Sequence, residues 1–101
     1  MPLLVRLQGE DGVVLKEIWE PPSSQLPLPA ADDPSFRCLG FIDVYGDTVF
    51  NRLQMHTFMQ ELERIERSVT DQEGRDFLRK LYALAQECQA EVHTYLKFIG
   101  D

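Results

Sequence analysis

From Met55 to Val69 the apolar residues Met55, Phe58, Leu62, Ile65 and Val69 recur at intervals of three, four, three and four. That spacing is a single stripe along a helix of 3.6 residues per turn, and it predicts a helix over 51–69. Asn51 and Gln54 have the spacing of a capping box at its start, each side chain placed to accept the other's backbone N–H. Away from the stripe, Glu63 with Arg67 and Glu61 with Arg64 have the spacing of surface ion pairs on a solvated face. Thr70 and Glu73 repeat the capping-box spacing and predict a second helix. Its stripe runs Phe77, Leu81, Leu84, Cys88, Val92, Tyr95 and Ile99, is widened by Leu78, Ala85 and Leu96, and stops at Gly100 as a C-cap. About 27 residues at about 1.5 Å each make a rod of roughly 40 Å. Gly74 near its start is expected to loosen the first turn by about 1 kcal/mol relative to alanine. A link this short folds the two helices back as an antiparallel hairpin, and the second stripe is too wide for one neighbour, so that helix also packs on a sheet.

The first half supplies the sheet. Leu3–Gln8 and Val13–Trp19 are β-rich runs separated by Gly-Glu-Asp-Gly, which reads as a hairpin. Leu3, Val5 and Leu7 share one side of the first run. In the second, Leu15 and Trp19 lie opposite Val14, Lys16, Ile18 and Glu20, an imperfect alternation that leaves Trp19 open between core and surface. Pro21–Ser35 holds five of the six prolines, which cannot continue a helix or a central strand, so it is an irregular connection draping Leu26 and Leu28 over the sheet edge. Phe36–Gly46 reads as a third strand, and Asp47–Phe50 begins a short fourth after a turn at Tyr45, Gly46 and Asp47. The expectation is a single α+β domain over 1–101: a small antiparallel sheet of three or four strands within 1–50, with a Pro-rich loop at 21–35, packed on a C-terminal antiparallel helical hairpin within 51–101.

Composition narrows the function classes. Seventeen acids against ten bases give a net charge of −7, which disfavours phosphate backbones and anionic lipid surfaces, so neither nucleic acid nor membrane is an expected partner. Residues 1–50 carry eight acids and three bases, and residues 51–101 carry nine and seven, placing the negative field mainly in the first half. No run of about 18 apolar residues offers a membrane span. The opening Met-Pro-Leu-Leu-Val-Arg has no signal-peptide pattern, pointing to a cytoplasmic chain in which Cys38 and Cys88 are free thiols. Cys38, His56, Cys88 and His93 have no metal-ligand spacing, no phosphate-loop or nucleophile motif is present, and no cofactor is expected.

Two groups of residues stand out as candidate sites. Glu17, Trp19, Glu20, Asp32 and Asp33 place a tryptophan among carboxylates, the make-up of an anchor for a basic protein partner. Asp43, Tyr45, Asp47 and His56 lie at a strand-to-helix junction and form an alternative site for a small ligand or an enzyme, although turn and capping roles account for Asp43 and Asp47. Cys38, His56 and Asp43 are the one conceivable catalytic group. A further reading is a homodimer through the long helix with Phe98 and Leu53 at a two-fold interface. In its strands-then-hairpin order and acid excess, with the string Ile42–Gln54, the chain resembles small bacterial immunity-type proteins that neutralise a cognate toxin. That resemblance implies a non-enzymatic protein-binding module and carries no residue roles.

Overall fold

The computed structural model describes residues 2–100. Strands β1 (Leu4–Gly9), β2 (Val14–Trp19), β3 (Asp47–Asn51) and β4 (Thr94–Ile99) accompany helices α1 (Met55–Glu66) and α2 (Gln72–Ala90). The four strands form one sheet in the order β2-β1-β4-β3, every neighbouring pair antiparallel, with the two helices packed on one face. The α+β class and the helical hairpin are as the sequence predicts.

Register assigns the two faces, because opposed residues of an antiparallel pair share a side. The helix-facing rows are Ile18–Val5–Phe98–Thr48 and Lys16–Leu7–Leu96–Phe50. Phe50, Phe58 and Phe98 meet there with ring centroids 5.5 to 5.7 Å apart, joining the sheet to α1. The open face carries the rows Trp19–Leu4–Ile99–Asp47 and Glu17–Arg6–Lys97–Val49. Leu4 is only 6% exposed although it lies on that open face, flanked by Trp19 and Ile99.

Several expectations are corrected. The second helix ends at Ala90, and Thr94–Ile99 returns as a central strand between β1 and β3. The 88-92-95-99 spacing imitates a helical stripe, yet Thr94, Leu96 and Phe98 alternate inward with Tyr95, Lys97 and Ile99 outward, a period of two. His93 makes the turn with φ of 64°, and Gly100 caps no helix: its N–H donates to Gly46 O at 2.7 Å. Phe98 is fully buried in the core, which removes it from any helix-borne dimer interface, whereas Leu53 is exposed.

Phe36–Gly46 is not a strand. It runs through a 3-10 turn at Leu39–Phe41 and a tight turn at 43–46 because Glu61, 3% exposed on α1, takes the amides that a ladder would use. Its carboxylate accepts from Arg37 N at 2.7 Å, Cys38 N at 3.0 Å and Leu39 N at 2.8 Å. Glu61 therefore faces the interior and forms no surface pair with Arg64. Asn51 and Gln54 do form the reciprocal capping box, ahead of a single 3-10 turn that leads into α1. At α2 the cap is Asp71, whose Oδ2 accepts from Gly74 N at 3.2 Å. Gly74 is there for space: a Cβ would lie 2.6 Å from both Ser24 Oγ and Val69 Cγ1.

Candidate functional site

The largest departure from an ordinary surface lies along β2. It is an edge strand, and nearly all its residues are exposed. Glu20 N–H donates to Leu3 O at 2.9 Å, in line with the Leu4–Trp19 register. Hydrogen-bonded and non-bonded pairs alternate along an antiparallel ladder, so Ile18 and Lys16 bond to β1 while the N–H and C=O of Glu17 and Trp19 point to the free edge. Among the described residues nothing bonds those groups. A β-bulge at Leu7/Gln8 shifts the register toward the hairpin tip, where Val13, Val14 and Leu15 are exposed.

Beside this edge runs a groove walled by α2. Its middle, about 410 Å³, is lined by Lys16, Glu17, Ile18, Lys80, Ala83, Leu84 and Glu87. Lys16 Nζ meets Glu87 Oε1 at 2.5 Å and closes one end. At the other end Trp19, Pro21, Glu73, Asp76 and Phe77 border a smaller depression with Lys80. Trp19 is 60% exposed, which settles its place on the surface. A large ring left in water on an unpaired edge is the kind of feature that anchors interfaces. The α2 wall was missed in the sequence, because Lys80 and Ala83 lie off the apolar stripe and nothing marks what they flank.

The first candidate group divides. Glu17 and Trp19 flank this groove, and Glu17 Oε2 pairs with Arg6 Nε at 3.0 Å across the open face. Glu20 does not belong to an acidic surface: it is 3% exposed and accepts from Leu3 N at 3.1 Å and Leu26 N at 2.6 Å, tying the proline loop to β1. Asp32 and Asp33 lie on that loop and share no hydrogen bond or groove with Trp19. Asp33 accepts from the Ser35 hydroxyl at 2.6 Å and the Ser35 amide at 2.9 Å, bonds that hold its carboxyl below the usual carboxylate range.

The second candidate group is a turn. Asp43 Oδ1 accepts from Tyr45 N at 2.8 Å, and Asp43 N–H donates to Thr48 Oγ1 at 2.9 Å. A Cβ on Gly46 would meet Asp43 Oδ2 at 2.7 Å, so a larger residue there would push aside the carboxylate that bonds Tyr45 N. Asp47 pairs with Lys97 at 3.5 Å on the open sheet face. Tyr45 is 83% exposed, and His56 is an exposed residue of α1 without a hydrogen bond to the other three. Among the described residues no group of three or more His, Cys, Asp or Glu is placed to hold a metal ion.

Both thiols are buried. Burial, with Glu61 nearby, pushes Cys38 up to about 11, and burial also raises Cys88. Each is therefore a protonated thiol at neutral pH, and Cys38 is turned toward Gln54 O at 3.8 Å rather than toward His56. A second concavity between α1 and the 35–37 loop holds Arg37, Arg64 and Arg67, but Glu61 and Glu63 line it too. Arg64 is committed there, donating to Ser35 O at 2.6 Å and stacking 4.2 Å over Phe36. No helix is long and apolar enough to cross a membrane among the described residues. No protein-family model matches the chain, and no curated protein or solved structure gives a significant match.

Proposed function

We propose that this chain is a non-enzymatic protein-binding module that engages a basic partner along the β2 side of its sheet, with Trp19 as the anchor and Glu17, Glu73, Asp76 and Glu87 as an acidic rim. One observation carries the reading: a 60% exposed tryptophan stands on an unpaired edge strand beside an acid-rimmed groove. Aromatic anchors surrounded by complementary charge are the usual source of interface affinity, while the charges set encounter rate and partner choice. Masking a basic surface in this way would neutralise or regulate the partner, in keeping with the resemblance to immunity-type proteins.

Trp19 is the only tryptophan, so its emission reports on the site directly. A displayed library of protein fragments is selected on the native chain and, in parallel, on Trp19→Ser. The expected result is a set of basic fragments enriched only on the native chain, each shifting Trp19 emission to the blue. Equal enrichment on both proteins refutes the reading, as does unfolding of Trp19→Ser, which would make the ring part of the core.

A further inference from the structure

Resting on that protein-binding reading, we infer that the partner enters as an added β-strand, pairing its backbone with Glu17 and Trp19 and alternating basic and aliphatic side chains. The outward N–H and C=O groups of those two residues form a ready-made template, and strand addition at a sheet edge supplies affinity through such main-chain bonds. Natural edges are blunted by prolines, bulges, inward charges or a covering segment. Here the bulge lies toward the hairpin tip and the first proline after β2 is Pro21, so Glu17–Trp19 stays unprotected. Lys16, on the helix-facing row, is the one inward charge of this strand, and Glu87 neutralises it while the outward groups of Glu17 and Trp19 stay open.

The α2 wall gives the added strand a bed of the right size. Glu73, Asp76, Lys80, Ala83 and Glu87 follow one another at intervals of three and four and so form one face of the helix beside β2. From Phe77 to Glu87 that face is about 15 Å long, enough for four or five extended residues at about 3.3 Å each. Ala83 leaves room at the middle of the wall, where a larger side chain would fill the groove.

Parity then dictates the ligand. A residue opposite Ile18 points to the helix side, into the space bounded by Ile18, Ala83 and Leu84, and must be aliphatic. Its neighbours, opposite Glu17 and Trp19, point to the open face. There a lysine or arginine meets the Glu17 carboxylate on one side and the Trp19 ring face on the other. On the helix side Glu87 is paired with Lys16 and Asp76 with Arg79, so the preference for a basic residue comes from Glu17 and the Trp19 ring on the open face. The occupant is therefore an extended segment of basic–aliphatic–basic pattern from another protein.

The probes are two end-blocked heptapeptides of one composition, Lys-Val-Lys-Val-Lys-Val-Lys and Lys-Lys-Val-Val-Val-Lys-Lys, titrated against the intact chain and read by Trp19 emission. The alternating peptide should bind at least about fivefold tighter than the block peptide, since several cross-strand pairs depend on register. N-methylation of its amides one at a time should weaken binding by about three- to tenfold at every second position and leave the positions between unchanged. Glu17→Pro removes one outward N–H together with the carboxylate and should abolish binding, whereas Glu17→Ala removes the carboxylate alone and should weaken binding by no more than about fivefold. The methylation pattern leaves the protein untouched, so it stands even where the proline variant unfolds. Absence of binding by the alternating peptide, or tolerance of methylation without a period of two, overturns strand addition. If fragment capture still depends on Trp19 in that case, the protein-binding reading survives and only the mode of entry falls.

Discussion

Replacing Glu61 by glutamine changes the side chain by one atom and should remove much of the stability. The two carboxylate oxygens take three consecutive amides, Arg37, Cys38 and Leu39, at 2.7 to 3.0 Å in a site that is 3% exposed. Glutamine keeps one acceptor oxygen and turns an NH2 group toward donors. At least one amide is then left buried without an acceptor, costing about 1–3 kcal/mol, and the surviving bonds fall from charge-assisted to neutral, losing about 1 kcal/mol each. The sum is about 3–5 kcal/mol, at least a fifth of the roughly 5–15 kcal/mol that a domain usually has. At roughly 4–8 °C per kcal/mol the melting temperature should drop by at least about 12 °C. Differential scanning fluorimetry measures this, with Glu63→Gln as the control. Glu63 is exposed and accepts only a 3.3 Å bond from Tyr82 OH, so its loss should stay within about 0.5 kcal/mol. The release of 36–42 should also make Cys38 accessible to alkylation. A Glu61→Gln protein that melts within about 3 °C of the native chain would refute the claim that this carboxylate holds the loop.

Gly74→Ala sets two effects against each other. Helix propensity favours alanine by about 1 kcal/mol, but the new methyl would sit 2.6 Å from Val69 Cγ1 and Ser24 Oγ, and overpacking of that kind costs about 1–3 kcal/mol. The net should be destabilising in urea titrations; a stabilised variant would show that the loop yields freely. Because burial raises Cys38 to about 11, the folded state favours the protonated thiol. Its contribution to stability is whole below the unfolded thiol pKa of about 8.5 and is lost as the pH climbs through about 11. The urea midpoint of the native chain should therefore fall relative to that of Cys38→Ala between those limits, and parallel profiles would contradict it.

Periodicity made α1 legible because its stripe needed no long-range information, and the Asn51–Gln54 box is equally local. The β1–β2 hairpin was readable from its turn. What failed was decided by distant partners. Thr94–Ile99 has the marks of a strand, but its 88-92-95-99 spacing also satisfies a helix, and only the demand of β1 and β3 for a common neighbour chooses between them. Phe36–Gly46 is β-rich in composition and lost its ladder to a carboxylate from another element. A signal for that did exist. Glu61 stands three residues after Phe58 and four before Ile65, on the core stripe, and Glu20 shares the inward parity of Ile18. A charged residue at a core position of a regular pattern marks a carboxylate destined for buried backbone amides, since its burial is tolerable only when so satisfied. The site was half legible: Trp19 and Glu17 stand out in β2, while the α2 wall depends on a packing that no local pattern encodes.

The same two glutamates change how the acid surplus should be read. Counting charges by halves assigns the negative field to residues 1–50, yet Glu20 is enclosed there, and Glu17 and Asp47 are matched by Arg6 and Lys97. Along the groove the acids come from both halves, Glu17 from β2 and Glu73, Asp76 and Glu87 from α2, with three of them sharing their charge with Arg6, Arg79 and Lys16. These groups are exposed or half-buried, so their pull on a basic segment reaches only about 10 Å at 0.1 M salt and about 3 Å at 1 M. Backbone pairing along Glu17 and Trp19 is short-ranged and far less sensitive to ions. Raising the salt from 0.05 to about 0.5 M should therefore slow association of the alternating peptide by about tenfold or more while changing its dissociation rate by less than about threefold. Stopped-flow mixing followed by Trp19 emission separates the two rates. A salt effect carried mainly by dissociation would mean that surface ion pairs, rather than an added strand, hold the ligand in place.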